Sequence, residues 1–407
     1  MTRRERWKID DLLGISADRL AEQRSRIHRP AQLDLEALGR LCTLADLDRI
    51  LAGQSLAFPM VRCVRNGQRL SAELFTVPSG AEDDAIRYVD TEKLFKCFAS
   101  GASIVVRDMH RYCEGLAEIS WSLAEDLGCA VTVNGYLTPV AQQAFKPHFD
   151  YHDIVVVQIH GTKRWIEYDS NANLPLDDNN WRRTSGSVNP ALPGTPAPIR
   201  EHVLNPGDVL FVPRGGSHAV VSQDEATFHL TFELQQWTKF DVVNSALQHV
   251  FDAPALRESL PFGARDSALP VDPTDYHDAT TTFLQVARDL DLGSVGWSLR
   301  RTSHVDMRET PVELVSQYVA LQAFDEHLRV QRRPHILYQL NECPGAVELR
   351  TRLRVIRLPE RMQPALRALM SGDPCSAAKL AESSGLQPAE ACELVRTLLA
   401  DATLVPA

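Results

Sequence analysis

What the chain lacks narrows its reading first. No apolar run approaches the about 20 residues that a membrane-spanning helix needs. The opening stretch, MTRRERWKIDDLLG, is rich in charge and has no signal-peptide core. There is no CxxC pair: Cys42, Cys63, Cys97, Cys113, Cys129, Cys343, Cys375 and Cys392 are scattered. In a chain of this size such thiols read as reduced and mostly buried in a cytoplasmic protein, and a zinc site built from them is not expected. Positive charge is also short, with 43 Lys and Arg against 53 Asp and Glu, a net charge of −10. That sign argues against a general nucleic-acid binder and against attraction to an anionic membrane. Internal repeats and low-complexity tracts are absent as well.

What is present is ordinary in bulk and patterned in detail. With 407 residues, 44% hydrophobic and 24% charged, the chain suits a soluble protein too long for one core. Up to about residue 125 helix and strand signals alternate. DLEALGRLCTLADLDRILAG has helical spacing ending on Gly53, FPMVRCVRNGQRL holds the hairpin signal Asn66-Gly67, and EGLAEISWSLAEDLG is an amphipathic helix stopped at Gly128. TEKLFKCFASG reads as a helix and ASIVVRDM as a strand. From 129 to 237 the pattern becomes short strands: AVTVNGYLTP, HDIVVVQIHG, TKRWIEYD, HVLNPGDVLFVP, HAVVS and TFHLTFEL, a spacing that suits a sandwich or barrel. Between two of them, Ser170 to Glu201 forms a long Pro-, Asn- and Gly-rich loop with Trp181, Arg182 and Arg183, expected to border a site entrance. After Trp237 the helical period returns, and from Leu358 three further helices follow.

The chemistry concentrates in FKPHFDYHDIVVVQIHGTKRW. His148 and Asp150 stand two apart before a strand-like run, so on extended backbone imidazole and carboxylate share a face. LNPGDVLFVPRGGSHAVV adds His218, placed by a Pro-Arg-Gly-Gly bend at the start of another strand. Two histidines and a carboxylate on one face of a metal are the facial set of non-haem iron oxygenases, which leaves coordination positions open. Lys163 sits on the strand after His160-Gly161, on the face of Trp165 and opposite Arg164. A lysine facing a barrel interior is costly unless an anion meets it. In TFHLTFEL, His229 and Thr231 alternate inward while Phe228, Leu230 and Phe232 face the other way. His152 and Asp153 either face a substrate, orient a ligand or form a solvated rim, and His160 reads as a turn residue.

These residues carry a family resemblance. NGYLTPVAQQAFKPHFDYHDIVVVQIHGTKRWIEY, LNPGDVLFVPRGGSHAVV and ALRESLP resemble the cupin-like JmjC-domain oxygenases, and among them the ribosomal-protein hydroxylases. The likeness spans about residues 90 to 260, with a similar helical region and tail beyond. It implies a mainly β catalytic core, a double-stranded β-helix of jelly-roll type with flanking helices, over 1–237 (core 90–237). An all-α, dimerising region over 238–345 and a winged-helix-like domain over 346–407 would follow. It implies His148, Asp150 and His218 as ligands of Fe(II), and Lys163 as the partner of the distal carboxylate of 2-oxoglutarate. Asn134 and Tyr136 match positions that help to hold that cosubstrate in the family, and the inward-facing His229 and Thr231 are candidates for the same side of the site. With O2, such a site hydroxylates an amino-acid side chain and releases succinate and CO2. The chain departs from the ribosomal hydroxylases near its start, where RIHRP stands in place of their entry segment.

The expected partner is therefore a polypeptide, a ribosomal protein or a peptide, and the net negative charge suits a basic one. Alternatives are a peptide natural-product precursor or a free amino acid in biosynthesis, methyl-lysine demethylation by the same iron chemistry, and a non-catalytic cupin-like binding protein. A DNA-binding role for the tail is disfavoured. From 358 to 407 it holds four basic residues (Arg361, Arg367, Lys379, Arg396) against six acidic (Glu360, Asp373, Glu382, Glu390, Glu393, Asp401), a net −2. A cytoplasmic homodimer is expected.

Overall fold

The computed structural model describes residues 7–14, 16, 18, 32–53, 56–80, 86–169, 174–176, 197–251, 253–260, 272–303, 307 and 309–407. The RIHRP segment, Trp181, Arg182 and Arg183 lie outside them. The chain divides into two compact units, Met1–Trp237 and Thr238–Ala407.

Among the described residues of the first unit, five helices, α1 (Ile9–Leu13), α2 (Leu35–Leu41), α3 (Leu44–Ala52), α4 (Thr91–Ala99) and α5 (Glu114–Leu127), accompany twelve strands. The strands are β1 (Val61–Arg65), β2 (Gln68–Arg69), β3 (Thr76–Pro78), β4 (Arg87–Val89), β5 (Ser103–Val106) and β6 (Ala130–Thr138). They continue as β7 (Asp153–His160), β8 (Lys163–Tyr168), β9 (Pro198–Leu204), β10 (Val209–Val212), β11 (His218–Ser222) and β12 (Thr227–Gln235). A seven-stranded antiparallel sheet runs β10-β7-β12-β6-β5-β1-β2, and a smaller sheet runs β11-β8-β9.

Alternation along the central strands separates two interiors. Val155 and Val157 of β7, with Phe228, Leu230 and Phe232 of β12, join the main core, which also takes Leu116, Ile119 and Leu123 of α5. The intervening Ile154 and Val156 pack instead with Trp165, Leu204, Leu210 and Val212. A strand buried on both faces needs a continuous apolar run, which is what Ile154 to Val157 supply.

Two local signals read from the sequence are resolved differently. The helical stretch before Gly53 is two helices, because Thr43 leaves helical geometry to cap α3, with Asp46 returning the bond to its backbone. His160 closes β7 instead of standing in the turn, which falls on Gly161 at φ 67°. The Asn66-Gly67 hairpin forms as expected, with φ 52° and 78° joining β1 to β2.

The second unit begins with α6 (Lys239–Val250), α7 (Pro273–Arg288), α8 (Leu292–Ser303) and α9 (Leu314–Gln322). It is not all-α to residue 345. Strands β13 (Val330–Arg332), β14 (Tyr338–Cys343), β15 (Ala346–Thr351) and β16 (Val355–Pro359) follow, and β14-β15-β16 form an antiparallel sheet. Gly345 lies in the β14–β15 turn at φ 71°, so a boundary there divides a paired hairpin. Helices α10 (Gln363–Met370), α11 (Ala377–Ser384) and α12 (Pro388–Ala400) close around Val347, Leu349, Leu366, Leu380 and Leu398, and β17 (Leu404–Pro406) pairs β13. Among the described residues no helix is long and apolar enough to cross a membrane.

The turn at Gly161 sets where β8 begins, and a Cβ there would stand 2.5 Å from the Ala226 carbonyl oxygen. Gly161→Ala is expected to cost about 1–3 kcal/mol, from φ strain and that clash. Urea unfolding followed by circular dichroism measures it; an unchanged midpoint would contradict this packing.

Candidate metal and anion site

Residues 143 to 148 run along the free edge of β11, with bridges Gln143–Val221 and His148–His218. At the second bridge each histidine N–H donates to the other's carbonyl, at 3.0 and 2.7 Å. Two residues seventy apart in sequence thereby become cross-strand neighbours, their ring centroids 4.5 Å apart. The Nδ1 of His148 lies 2.9 Å from the Lys146 carbonyl, and that of His218 3.0 Å from the Gly216 carbonyl. A carbonyl only accepts, so both Nδ1 atoms carry the proton and both Nε2 atoms present lone pairs. Asp150 places a carboxylate oxygen 3.9 Å from His218 Nε2. One ligand atom from each of the three residues lies within 4.8 Å of the others, and both histidines are buried. Two neutral imidazoles and one carboxylate fit a divalent first-row metal such as iron.

The residues after Asp150 are not a solvated rim. Asp153 is buried, and its Oδ1 accepts the Arg214 N–H at 2.7 Å, tying the start of β7 to the bend that delivers His218. The Asp150 carbonyl accepts from Gly215 N at 2.9 Å, a second tie to the same bend. His152 faces Glu233 of β12 at 3.6 Å. Burial opposes the charged form of His152 most strongly, but Glu233, Asp150 and Asp153 together outweigh it and raise its pKa. Burial likewise pushes the Glu233 carboxyl up, and His152 and the Thr132 hydroxyl overcome this, leaving it lowered.

Asn134 joins the same group. Its amide donates to Glu233 Oε1 at 2.6 Å, and its Oδ1 accepts from Asp108 N. Glu233 was not singled out in the sequence. The signal was there: it continues the inward alternation of His229 and Thr231 by one more step.

Lys163 is fully buried, and its ammonium meets Thr138 Oγ1 at 3.0 Å and His229 Nδ1 at 2.8 Å. Among the described residues no carboxylate reaches it. Burial alone drives its pKa down to about 7. His229, depressed well below its ordinary value by burial and then by Lys163 and His218, stays neutral and accepts through Nδ1. Its ring stacks on Tyr136, centroids 4.8 Å apart and nearly parallel. Trp165 stacks on His218, and its buried Nε1–H has no acceptor among the described residues.

All eight residues expected from the sequence, His148, Asp150, His218, Lys163, Asn134, Tyr136, His229 and Thr231, line one cavity of about 280 Å³. Arg62, Arg69, Arg107 and Glu233 line it too. The chemistry on offer is a metal position together with an uncompensated buried cation, which suits a ligand that is anionic at one end and chelating at the other.

The JmjC domain profile matches residues 113–242. The bifunctional lysine-specific demethylase and histidyl-hydroxylase NO66 of Drosophila grimshawi is 33% identical over 176 residues, 41% of this chain and 23% of that protein. The Drosophila sechellia protein of the same name is 32% identical over 196 residues, 47% of this chain and 27% of its own length. The chain thus spans about a quarter of the curated relatives it matches. Among solved structures, the Escherichia coli ribosomal oxygenase YcfD superposes with a TM-score of 0.54 at 14% identity, covering 97% of this chain and 99% of that one. Its complex with cobalt and 2-oxoglutarate gives a TM-score of 0.53 at 12% identity, covering 96% and 98%. At that identity the likeness is one of fold, the JmjC cupin-like β core.

The Lys163 shift has a sign that can be tested. Between about pH 7 and about pH 10 the unfolded chain keeps a proton that the folded chain has released, so this group makes stability rise with pH across that window. Below it both states are protonated and the burial cost is complete. Lys163→Met is therefore expected to be more stable than wild type near neutral pH by about 2–4 kcal/mol, with the gap closing towards pH 10. Chemical denaturation across pH reads this, and a gap that stays flat or widens with pH would contradict the buried, unpaired lysine.

Proposed function

We propose that this chain, which carries a JmjC domain over residues 113–242, is an Fe(II)- and 2-oxoglutarate-dependent dioxygenase that hydroxylates an amino-acid side chain in a polypeptide. One observation carries the reading: a buried lysine with only neutral partners shares a cavity with a His-Asp-His metal set. The relatives point the same way. NO66 is named a histidyl-hydroxylase and demethylase, and YcfD, a ribosomal oxygenase, has been solved with 2-oxoglutarate and cobalt.

His148, Asp150 and His218 would hold the iron, and Lys163 with the Thr138 hydroxyl would take the far carboxylate of 2-oxoglutarate. When bound, these groups supply oxidation by O2, with 2-oxoglutarate leaving as succinate and CO2 while one oxygen atom enters the substrate. The chain's own share is orientation and dryness. The Nδ1–carbonyl bonds fix both imidazole planes. Neutral His229 holds the Lys163 ammonium by accepting its hydrogen bond, and an arriving carboxylate favours the protonated lysine. Trp165 offers an unused donor beside His218, while Asn134, Tyr136 and Thr231 complete the polar wall.

A ribosomal protein is the first substrate class. A peptide natural-product precursor, a free amino acid or a methylated lysine would use the same centre. The protein would work in the cytoplasm as a homodimer, and the exposed Phe240, Val243, Leu247 and Phe251 on and just after α6 suit a helical dimer face. The division of the second unit into a dimerising part and a winged-helix-like docking part belongs to the same proposal.

Succinate formation from 2-oxoglutarate with added Fe(II) is expected in wild type and to fall at least about a hundredfold in His148→Ala, with circular dichroism verifying the fold. Equal background turnover in both proteins would leave a non-catalytic binding protein as the better reading. Mass spectrometry of candidate proteins for the added mass of one oxygen identifies the substrate. Light scattering should give the mass of two chains, and a single-chain mass would refute the dimer.

A further inference from the structure

We infer that Cys42 and Cys113 form a reversible oxidation site, at which a hydroperoxide converts the two thiols to a disulfide. Far apart in sequence, they meet where two helix ends touch. Cys42 ends α2 and leaves helical geometry at φ −169° and ψ 130°, while Cys113 is the residue that precedes α5. A Cβ at Gly115 would collide with the Arg40 carbonyl oxygen and stand 3.1 Å from that of Leu41. The first turn of α5 therefore rests directly on the last turn of α2, which fixes the two cysteines side by side. The Cys113 thiol donates to the Leu41 carbonyl at 3.5 Å, and the Cys42 thiol to the Thr43 carbonyl at 3.6 Å. Each thiol is also within hydrogen-bonding reach of the other. Their exposure differs. Cys42 is buried in the main core, whereas Cys113 is half-buried and lines an open cavity of about 530 Å³ with Tyr112, Glu114, Arg40 and Arg49.

This asymmetry gives each thiol its own part. The thiolate is the nucleophile in thiol oxidation, and it needs both access and a stabilised charge. The Cys42 S–H favours the ionised form of Cys113 against its burial, and the Leu116 and Gly115 N–H groups at the start of α5 add to it, so its pKa is lowered. Contact with Cys113, and then burial, push the Cys42 thiol up, and it keeps its proton. Cys113 attacks one oxygen of the hydroperoxide: the O–O bond breaks, the other oxygen leaves as water or an alcohol, and the sulfur becomes a sulfenic acid. The Cys42 sulfur then attacks that sulfur, the S–O bond breaks, the hydroxyl leaves with the Cys42 proton as water, and the S–S bond closes. Two electrons pass from the thiols to the peroxide, and a soluble dithiol restores the pair by exchange. Cys63 and Cys97 form a second thiol pair, but both are buried in the main core, and burial and then Cys97 push the Cys63 thiol up. That pair has the contact without the access.

The test uses reduced full-length protein in its native state, with hydrogen peroxide as the probe. Free thiols are then capped with iodoacetamide, and the protein is digested without reductant for mass spectrometry. One linked peptide pair is expected, Cys42 to Cys113, two hydrogens lighter than the separate peptides and split again by dithiothreitol. In Cys42→Ala the sulfenic acid has no partner and should accumulate on Cys113, read as a dimedone adduct about tenfold above that on any other cysteine. Cys113→Ser should leave Cys42 neither labelled nor linked. A further measurement needs no variant: in wild type, brief iodoacetamide labelling should reach Cys113 about tenfold faster than Cys63 or Cys97. A dominant Cys63–Cys97 link, a dimedone adduct on Cys42 in place of Cys113, the absence of both link and adduct, or labelling of Cys113 no faster than the buried pair would overturn the inference.

Discussion

The site depends on two backbone hydrogen bonds, His148 to His218 and back. They join a segment that precedes β7 to the strand that follows β10, and they make neighbours of two side chains that the chain holds far apart. Everything around this bridge keeps it in register. Asp153 clips the Arg214 N–H and the Asp150 carbonyl clips Gly215, so the bend before His218 is held from the side of the second carboxylate. Each imidazole is then fixed by its own Nδ1 bond to a carbonyl two residues earlier. A metal bound here meets ligands already placed, which lowers the ordering cost of binding.

Strand alternation provides the second constraint. On β12 one face belongs to the apolar core and the other, with His229, Thr231 and Glu233, to the polar cavity, whereas the second face of β7 packs Ile154 and Val156 into a smaller apolar cluster beside it. The most costly occupant of that cavity is Lys163, a cation removed from water with a hydroxyl and a neutral imidazole for company. Such a group works against stability unless an anion arrives, and positions of this kind are where function and stability part. The neighbouring Glu233–His152 pair is different, since each partner compensates the other.

Much of this was legible in the sequence, for identifiable reasons. The His-x-Asp spacing at a strand mouth, the Gly-Asp turn and the Pro-Arg-Gly-Gly bend are local, so His148, Asp150 and His218 could be read from short segments. Lys163, His229 and Thr231 followed from period-two alternation. Glu233 and Asp153 were harder because their partners, His152 and the Arg214 backbone, are set by long-range register, which one sequence does not display. Arg62 and Arg107 lay in segments read only as strands, and their convergence needs the order β6-β5-β1 across the sheet. The break at Cys42 is a contest between helical periodicity and the Thr43–Asp46 cap, which the cap wins. The β14–β15 hairpin has a local signal in the Pro344-Gly345 turn between LYQLNEC and AVELRT, but LYQLNEC falls in the stretch expected to be all-α and neither segment was singled out.

The central claim, that one cavity holds a metal and an anionic cosubstrate together, is tested most directly by anaerobic calorimetry of 2-oxoglutarate binding with and without Fe(II). The account predicts one equivalent of 2-oxoglutarate bound tightly only when the metal is present, with His218→Ala abolishing the effect of metal and Lys163→Met weakening binding in its presence. Binding that is equally tight without metal, or unchanged in both variants, would contradict it.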